Sequence, residues 1–407
     1  MKTYLVGGAV RDKLLGIPVK DRDWVVVGST VEDMLAQDFQ QVGKDFPVFL
    51  HPQSNEEYAL ARTERKSGKG YTGFTVHADK SVSLEEDLQR RDLTINAMAE
   101  DESGNLIDPH NGQGDLEEKI LRHVSPAFTE DPLRVLRVAR FAARFHRLGF
   151  SIADETMALM MRITADGELS DLVSERVWTE IESALGESTP QIFIKMLKQC
   201  NALAVILPEI DNLYGVPQPP KYHPEIDTGI HTLMVLEQAA LLSPDPAVRF
   251  AALMHDVGKG AIPKSKWPYL RGHEVLGGDL ITMACKRLKV PNDFRDLARM
   301  TSLYHTHCHK TSSHSAEQLL ETLELTDAFR KPERFEKFLL ACEADARGRL
   351  GLEKNPYPQP EVLKKTLSAS ANVDTSVFIE QGYKDVQIGE QIRLKRLALI
   401  QEALEIS

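Results

Sequence analysis

The sequence predicts an α+β protein: a mixed sheet with helices at the N-terminus, then helices to the end. Three observations predict it. The β-branched run Val25-Val26-Val27 and the segments Glu57-Tyr58-Ala59-Leu60-Ala61 and Leu106-Ile107-Asp108 read as strands. From about residue 115 onward the apolar residues recur almost wholly with helical spacing. Two proline-rich breaks, Val216-Pro217-Gln218-Pro219-Pro220 and Asn355-Pro356-Tyr357-Pro358-Gln359-Pro360, divide that helical part. The expected order is a head over 1–112, a helical neck over 113–215, a third unit over 225–350 and a helical tail over 360–407.

With 407 residues the chain has room for two to four domains and ample core. Its 42% hydrophobic and 27% charged residues are those of an ordinary soluble globular protein. The four cysteines, Cys200, Cys285, Cys308 and Cys342, show no paired spacing. They read as thiols in a reducing compartment rather than as zinc ligands or disulfides. Arg11 and Asp12 interrupt the only apolar stretch near the N-terminus, so neither a leader nor a membrane span is read and the cytoplasm is expected. The net charge of −11 speaks against non-specific nucleic-acid binding. Any contact with RNA must rest on a local basic face.

The first motif pairs Gly7-Gly8-Ala9-Val10-Arg11-Asp12 with Asp21-Arg22-Asp23. A glycine pair opening a helical turn lets backbone N–H groups approach a phosphate. Asp21 and Asp23, separated by one residue at the edge of a β-branched run, fall on one face of a strand. Two such carboxylates can hold divalent ions roughly 3.5–4 Å apart, which favours in-line phosphoryl displacement. The segment Lys66-Ser67-Gly68-Lys69-Gly70-Tyr71-Thr72-Gly73 reads as a mobile loop.

Arg90-Arg91-Asp92-Leu93-Thr94-Ile95-Asn96-Ala97-Met98 is the second motif. It reads either as a helix with a charged first turn or as a donor cluster. In the latter, Arg91 takes phosphate oxygens, and Asp92 and Asn96 order the ribose or the arginine. In the third, Glu130-Asp131-Pro132-Leu133-Arg134-Val135-Leu136-Arg137-Val138-Ala139-Arg140, three arginines share one face of an otherwise apolar helix. Arginines on so apolar a helix need partners, either internal carboxylates or a ligand.

In this order the motifs resemble those of the bacterial class II tRNA nucleotidyltransferases, the CCA-adding enzymes of the polymerase-beta-like superfamily. The match covers residues 1–150 or so. With the later His-Asp segment, the whole chain resembles the multifunctional members of that family. The resemblance implies a polymerase-beta-like head, with CTP, ATP and tRNA as partners. It implies that Gly8 and Arg11 contact the triphosphate and that Asp21 and Asp23 hold magnesium. Arg91, Arg137 and Arg140 would complete nucleotide binding, and Asp131 and Arg134 would read the base. A third metal carboxylate is not obvious; Glu57 is a weak candidate.

Hydrogen-bond logic supports the base-reading pair. Cytosine and adenine each present an amino donor beside a ring-nitrogen acceptor, whereas uracil and guanine present the reverse. A carboxylate accepts and a guanidinium donates, so Asp131 with Arg134 matches C and A and leaves U and G mispaired. A protein template of this kind needs no nucleic-acid template. The glycine-rich loop at 66–73 is a candidate moving part for the change from C to A.

Farther on, His231, His255-Asp256-Val257-Gly258-Lys259, His273, His305 and Asp345 form a second constellation. Imidazole and carboxylate ligands suit a divalent transition metal, and an open coordination position activates water. The pattern resembles the HD phosphohydrolase superfamily. That implies a metal, nickel being one candidate, on His231, His255, Asp256 and Asp345. The implied substrates are phosphoesters such as 2′,3′-cyclic phosphates and 2′-nucleotides. His273 and His305 are expected to serve a second metal or a phosphate, and His307, His309 and His314 to lie on the surface.

Two other readings stand beside this one: a poly(A) polymerase, and a tRNA-binding protein with vestigial sites. The acidic chain lacks the extended basic tail expected of the first, and retention of both Asp21 and Asp23 speaks against the second. The chain is expected to be a monomer or weak homodimer. Arg393, Lys395 and Arg396 in the tail fit a solvated helix face or a contact with RNA.

Overall fold

A computed structural model describes residues 1–42, 48–66, 74–77 and 79–405, without the side chains of 64–66 and 74–77. These residues form two compact units, Met1–Ile206 and Leu207–Ser407. Of the glycine-rich segment 66–73, all but Lys66 lies outside the described residues.

The first unit is built on a mixed sheet. Along the chain come β1 (Lys2–Val6), β2 (Asp23–Val27), β3 (Gln40–Gln41), β4 (Val48–Leu50) and β5 (Glu57–Leu60). β6 (Thr63–Lys66) and β7 (Phe74–His77) pair only with each other, and β8 (Ala99–Glu100) and β9 (Leu106–Ile107) follow. The sheet order is β3-β4-β5-β2-β1-β8-β9, parallel between β2 and β5 and antiparallel elsewhere. All three strands read from the sequence are present. Period-two alternation puts Val25 on one face with Val6, Leu88 and Ala99, and Val26 on the other with Met34, Phe49 and Leu60. Each such side chain contributes about 1.5–3 kcal/mol on burial.

Register then decides where the chemistry gathers. Val6 pairs with Asp23, and Asp23 with Glu57. The turn leaving β1 therefore stands beside the start of β2, with Glu57 on the next strand. The helix Gly8–Leu14 follows that turn directly. A capping box between Ser83 and Glu86 starts the helix Leu84–Gln89, which ends just before Arg91.

Beyond residue 115 the unit is mostly helical, as expected, with one exception. Ile120–Leu121 pairs in parallel with Ser151–Ile152. Two-residue strands are too short for their alternation to show in sequence. The helix Arg134–Phe145 buries Val135, Leu136, Val138, Ala139 and Phe145 against the helices Ser174–Gly186 and Pro190–Gln199.

In the second unit five helices pack together: Thr228–Leu242, Pro246–Met254, His273–Leu288, Asn292–His309 and Pro332–Arg347. The helices Gln359–Ala371 and Val386–Glu405 pack on each other at the C-terminus. There Arg396 lies 3.6 Å over the Phe329 ring and Arg393 pairs with Glu324 at 3.2 Å, so that face is partly engaged with its own unit.

Candidate active sites

The first unit opens in a cleft of about 680 Å³. Every head residue singled out in the sequence lines it except Asp21. β2 begins at Asp23, so exposed Asp21 lies just before the strand rather than within it. The Asp23 carboxylate makes no hydrogen bond or ion pair among the described residues. Its pKa is pushed up by burial and by the Asp21 charge, against the pull of Arg91. A carboxylate crowded this way, with Asp21 before it and Glu57 across the strand pair, is a fitting ligand for a divalent cation.

Gly7, rather than Gly8, is the residue the turn cannot replace. Its φ is +67°, and a Cβ there would stand 2.8 Å from Arg91 Nη1. Arg91 uses that room, donating to Asp87 Oδ2 at 3.2 Å and to the Asn96 carbonyl at 3.4 Å. Arg11 is only 3% exposed. It donates to Asn96 Oδ1 and Asp12 and lies 5.3 and 5.0 Å from the Phe141 and Phe145 ring centres. Burial pulls its pKa down.

On the helix face, both readings of the arginines are realised. Arg137 Nε donates to Asp92 Oδ2 at 2.8 Å and Arg140 Nε to Glu180 Oε2 at 2.7 Å, yet both line the cleft. Asp92 also accepts from Asn96 Nδ2 at 2.9 Å. Burial alone would raise its pKa, but Arg137, Asn96 and Arg134 hold it well below the usual range. Arg134 donates to the carbonyls of Ala127 and Arg90. Asp131 accepts from Arg176 Nη2 at 2.8 Å. Arg176, on the helix Ser174–Gly186, was missed because only tertiary packing brings it to Asp131.

The depressed Asp92 pKa has a stability consequence with a fixed sign. Its contribution is fully present above the unfolded carboxylate value of about 3.9 and is lost as pH falls toward the folded value. Asp92→Asn is expected to cost about 2–3 kcal/mol at neutral pH, because half-exposed Arg137 loses its main partner. Urea midpoints should differ most at pH 7 and converge as pH drops below about 4.

In the second unit, His231, His255 and Asp345 bring ligand atoms within 4.8 Å of one another, as do Asp256, His273 and His305. Five helix segments deliver them. Gly258 permits this, since a Cβ there would collide with the His273 carbonyl. His255 Nδ1 lies 2.7 Å from the Ala252 carbonyl, His273 Nδ1 2.8 Å from that of Leu270, and His305 Nδ1 3.0 Å from that of Thr301. A carbonyl only accepts, so each Nδ1 carries the proton and each Nε2 presents a lone pair.

The Nε2 atoms of His255 and His273 each lie 3.1 Å from an Asp256 oxygen, but out of hydrogen-bond alignment. Lone pairs facing a carboxylate repel unless a cation lies between them or the ring gains a proton. Burial opposes the second route in His305, whose pKa falls to about 3. In His273 burial also lowers the pKa, but Asp256 outweighs it. This donor set fits a divalent transition metal.

Two expectations for this unit change. His309 is half-buried rather than on the surface, with Nε2 2.6 Å from Asp345 Oδ2 and Nδ1 2.8 Å from the Tyr357 hydroxyl. It sits one turn after His305, on the same helix face. His307 and His314 are half-buried too, their ring centres 6.3 Å apart. His223 and Glu225 join His231 in a third group that sequence spacing had not signalled.

Fold and sites together define a nucleotidyltransferase head joined to an HD domain, and therefore an enzyme. Family models agree: residues 3–122 match "Poly A polymerase head domain", 149–214 "Probable RNA and SrmB- binding site of polymerase A", and 228–340 "HD domain". The multifunctional CCA protein of Pseudomonas fluorescens is 60% identical, over 98% of each chain. That of Hahella chejuensis is 58% identical, over 98% of this chain and 95% of its own. A solved CCA-adding enzyme from Bacillus stearothermophilus, in complex with CTP, shares the fold with a TM-score of 0.66 at 24% identity, covering 98% of this chain and 89% of its own. The chain belongs to the multifunctional CCA protein family.

Proposed function

We propose that the chain adds cytidine and adenosine to the 3′ end of tRNA from CTP and ATP, without a nucleic-acid template. Its HD unit hydrolyses phosphoesters, 2′,3′-cyclic phosphates and 2′-nucleotides among them. The observation that carries the first activity is the single cleft joining the glycine turn, Asp23, the arginines and Asp131. Magnesium at Asp21 and Asp23, with Glu57 beside them, would neutralise phosphate charge and activate the primer hydroxyl. Gly8, Arg11, Arg91, Arg137 and Arg140 grip the nucleotide. Asp131 and Arg134 read the base edge. In the HD unit, His231, His255, Asp256 and Asp345 would hold a divalent transition metal, which would supply activated water.

The test is extension of a tRNA lacking its terminal CCA, with each nucleotide supplied separately. CTP alone should add cytidines, and adenosine should follow only when CTP is also present. Adenosine runs without cytidine would overturn the reading in favour of a poly(A) polymerase. The reading takes the chain as a cytoplasmic monomer or weak homodimer. No helix among the described residues is long and apolar enough to cross a membrane.

Arg176 gives the base-reading pair its own check. A carboxylate accepts several hydrogen bonds, so Asp131 can keep Arg176 while taking the amino group of C or A. Arg176→Ala should free the carboxylate to swing. The KM for CTP and ATP should rise about tenfold, with more UTP incorporated, when all four triphosphates are compared.

A further inference from the structure

Beside the HD cluster lies a second cleft of about 390 Å³, whose lining includes Gln218, Lys259, His273, His309 and Arg349. Gln218 is 1% exposed, in the proline-rich segment between the two helical blocks. Its backbone N–H donates to the Ile226 carbonyl at 2.8 Å, which fixes the residue in place. Its side-chain Oε1 accepts from Lys259 Nζ at 2.5 Å. An ammonium only donates, so the carbonyl end of the amide must face Lys259. The NH2 end then points the other way, and Nε2 is buried with no hydrogen-bond partner among the described residues. Arg349 repeats the pattern. Its Nη2 stands 3.6 Å from Asp345 Oδ1, while its buried Nε also has no partner.

A buried donor left unpaired is costly, and two of the side chains that line this cleft, at the edge of a metal-type cluster, each carry one. Among these lining side chains Lys259 spends two of its three N–H donors on Gln218 Oε1 and Asp256 Oδ2, each at 2.5 Å. The buried donors left without an acceptor are Gln218 Nε2 and Arg349 Nε. We propose that Gln218 Nε2 and Arg349 hold the non-bridging oxygens of the phosphoester that the HD unit hydrolyses. This rests on the phosphohydrolase reading and adds the residues that position its substrate. Neither residue was singled out by sequence spacing.

The experiment uses the full chain loaded with its divalent metal, with 2′,3′-cyclic AMP as substrate. Binding of inorganic phosphate by calorimetry is a second readout. Gln218→Met removes both ends of the amide and should raise KM about tenfold, with phosphate binding weakened alike. Gln218→Glu separates the two roles. A carboxylate still accepts from Lys259 but turns an oxygen toward the phosphate in place of a donor. A donor role predicts that Gln218→Glu is at least as impaired as Gln218→Met. Recovery of wild-type KM in Gln218→Glu would assign Gln218 to supporting Lys259 alone and overturn the proposal. So would KM values within twofold of wild type in Gln218→Glu and Arg349→Gln. Nucleotide addition by the first unit and the thermal midpoint report whether each variant is folded. A wild-type protein that hydrolyses no phosphoester while adding nucleotides would instead sink the phosphohydrolase reading, and this proposal with it.

Discussion

Asp23→Ala is expected to abolish incorporation of both CMP and AMP, by about a thousandfold or more, while tRNA binding stays within a few-fold of wild type. The reason is positional. Asp23 begins β2, faces the cleft, and stands between the glycine turn after β1 and Glu57 on β5. Among the described residues its carboxylate has no hydrogen-bond or ion-pair partner to lose, so the alanine variant should fold and melt normally. Gel-shift binding and a thermal melt separate lost chemistry from lost structure. Asp21→Ala should lose incorporation as well, although Asp21 lies ahead of the strand. Glu57→Gln sorts the third carboxylate: a loss near that of Asp21→Ala makes it a ligand, and a loss under about tenfold makes it a neighbour. Incorporation by Asp23→Ala within tenfold of wild type would exclude a metal role for this carboxylate, whereas a wild-type chain that binds tRNA and adds no nucleotide would leave the tRNA-binding reading standing.

Much of the head was legible because its chemistry lies in short contiguous motifs. Gly7, Asp23, Arg91, Asp131 and Arg134 all fall in such runs, and the structure gathers them in one cleft. What sequence could not give is who pairs with whom. Arg137 is 45 positions from Asp92, and Arg176 is 45 from Asp131. No periodicity reports a contact of that separation. The short strands at Ile120–Leu121 and Ser151–Ile152 escaped for the opposite reason, being too brief to carry a pattern. In the second unit His309 was misplaced because a histidine near a helix end looks like surface. Its four-residue step from His305 was the signal that it shares the cluster face. Gln218 carries no charge and fits no ligand spacing, so only its burial and its orphaned amide set it apart.

Asp256→Ala is expected to remove HD phosphoesterase activity and its bound metal, by a hundredfold or more in rate, and to leave nucleotide addition unchanged. Asp256 is the carboxylate that both halves of the cluster share. Its Oδ2 lies 3.1 Å from His255 Nε2, and its Oδ1 lies 3.1 Å from His273 Nε2 and 3.7 Å from His305 Nε2. Burial would push its pKa up, but the Lys259 ammonium against it outweighs burial and holds it well below the usual range, so it is anionic at neutral pH. Removing it also strands the buried Lys259 ammonium, which keeps only the Gln218 carbonyl. An uncompensated buried charge of this kind costs about 3–5 kcal/mol, so the alanine variant should unfold earlier in its second unit. Asp256→Ala with Lys259→Met removes both members of the pair and should recover most of that stability, without recovering activity. Metal content after gel filtration, phosphoesterase rate and thermal midpoint together decide the matter. Activity surviving in the double variant would show that the cluster is a structural ion-pair network, because such a network can be replaced by apolar packing and a metal ligand cannot.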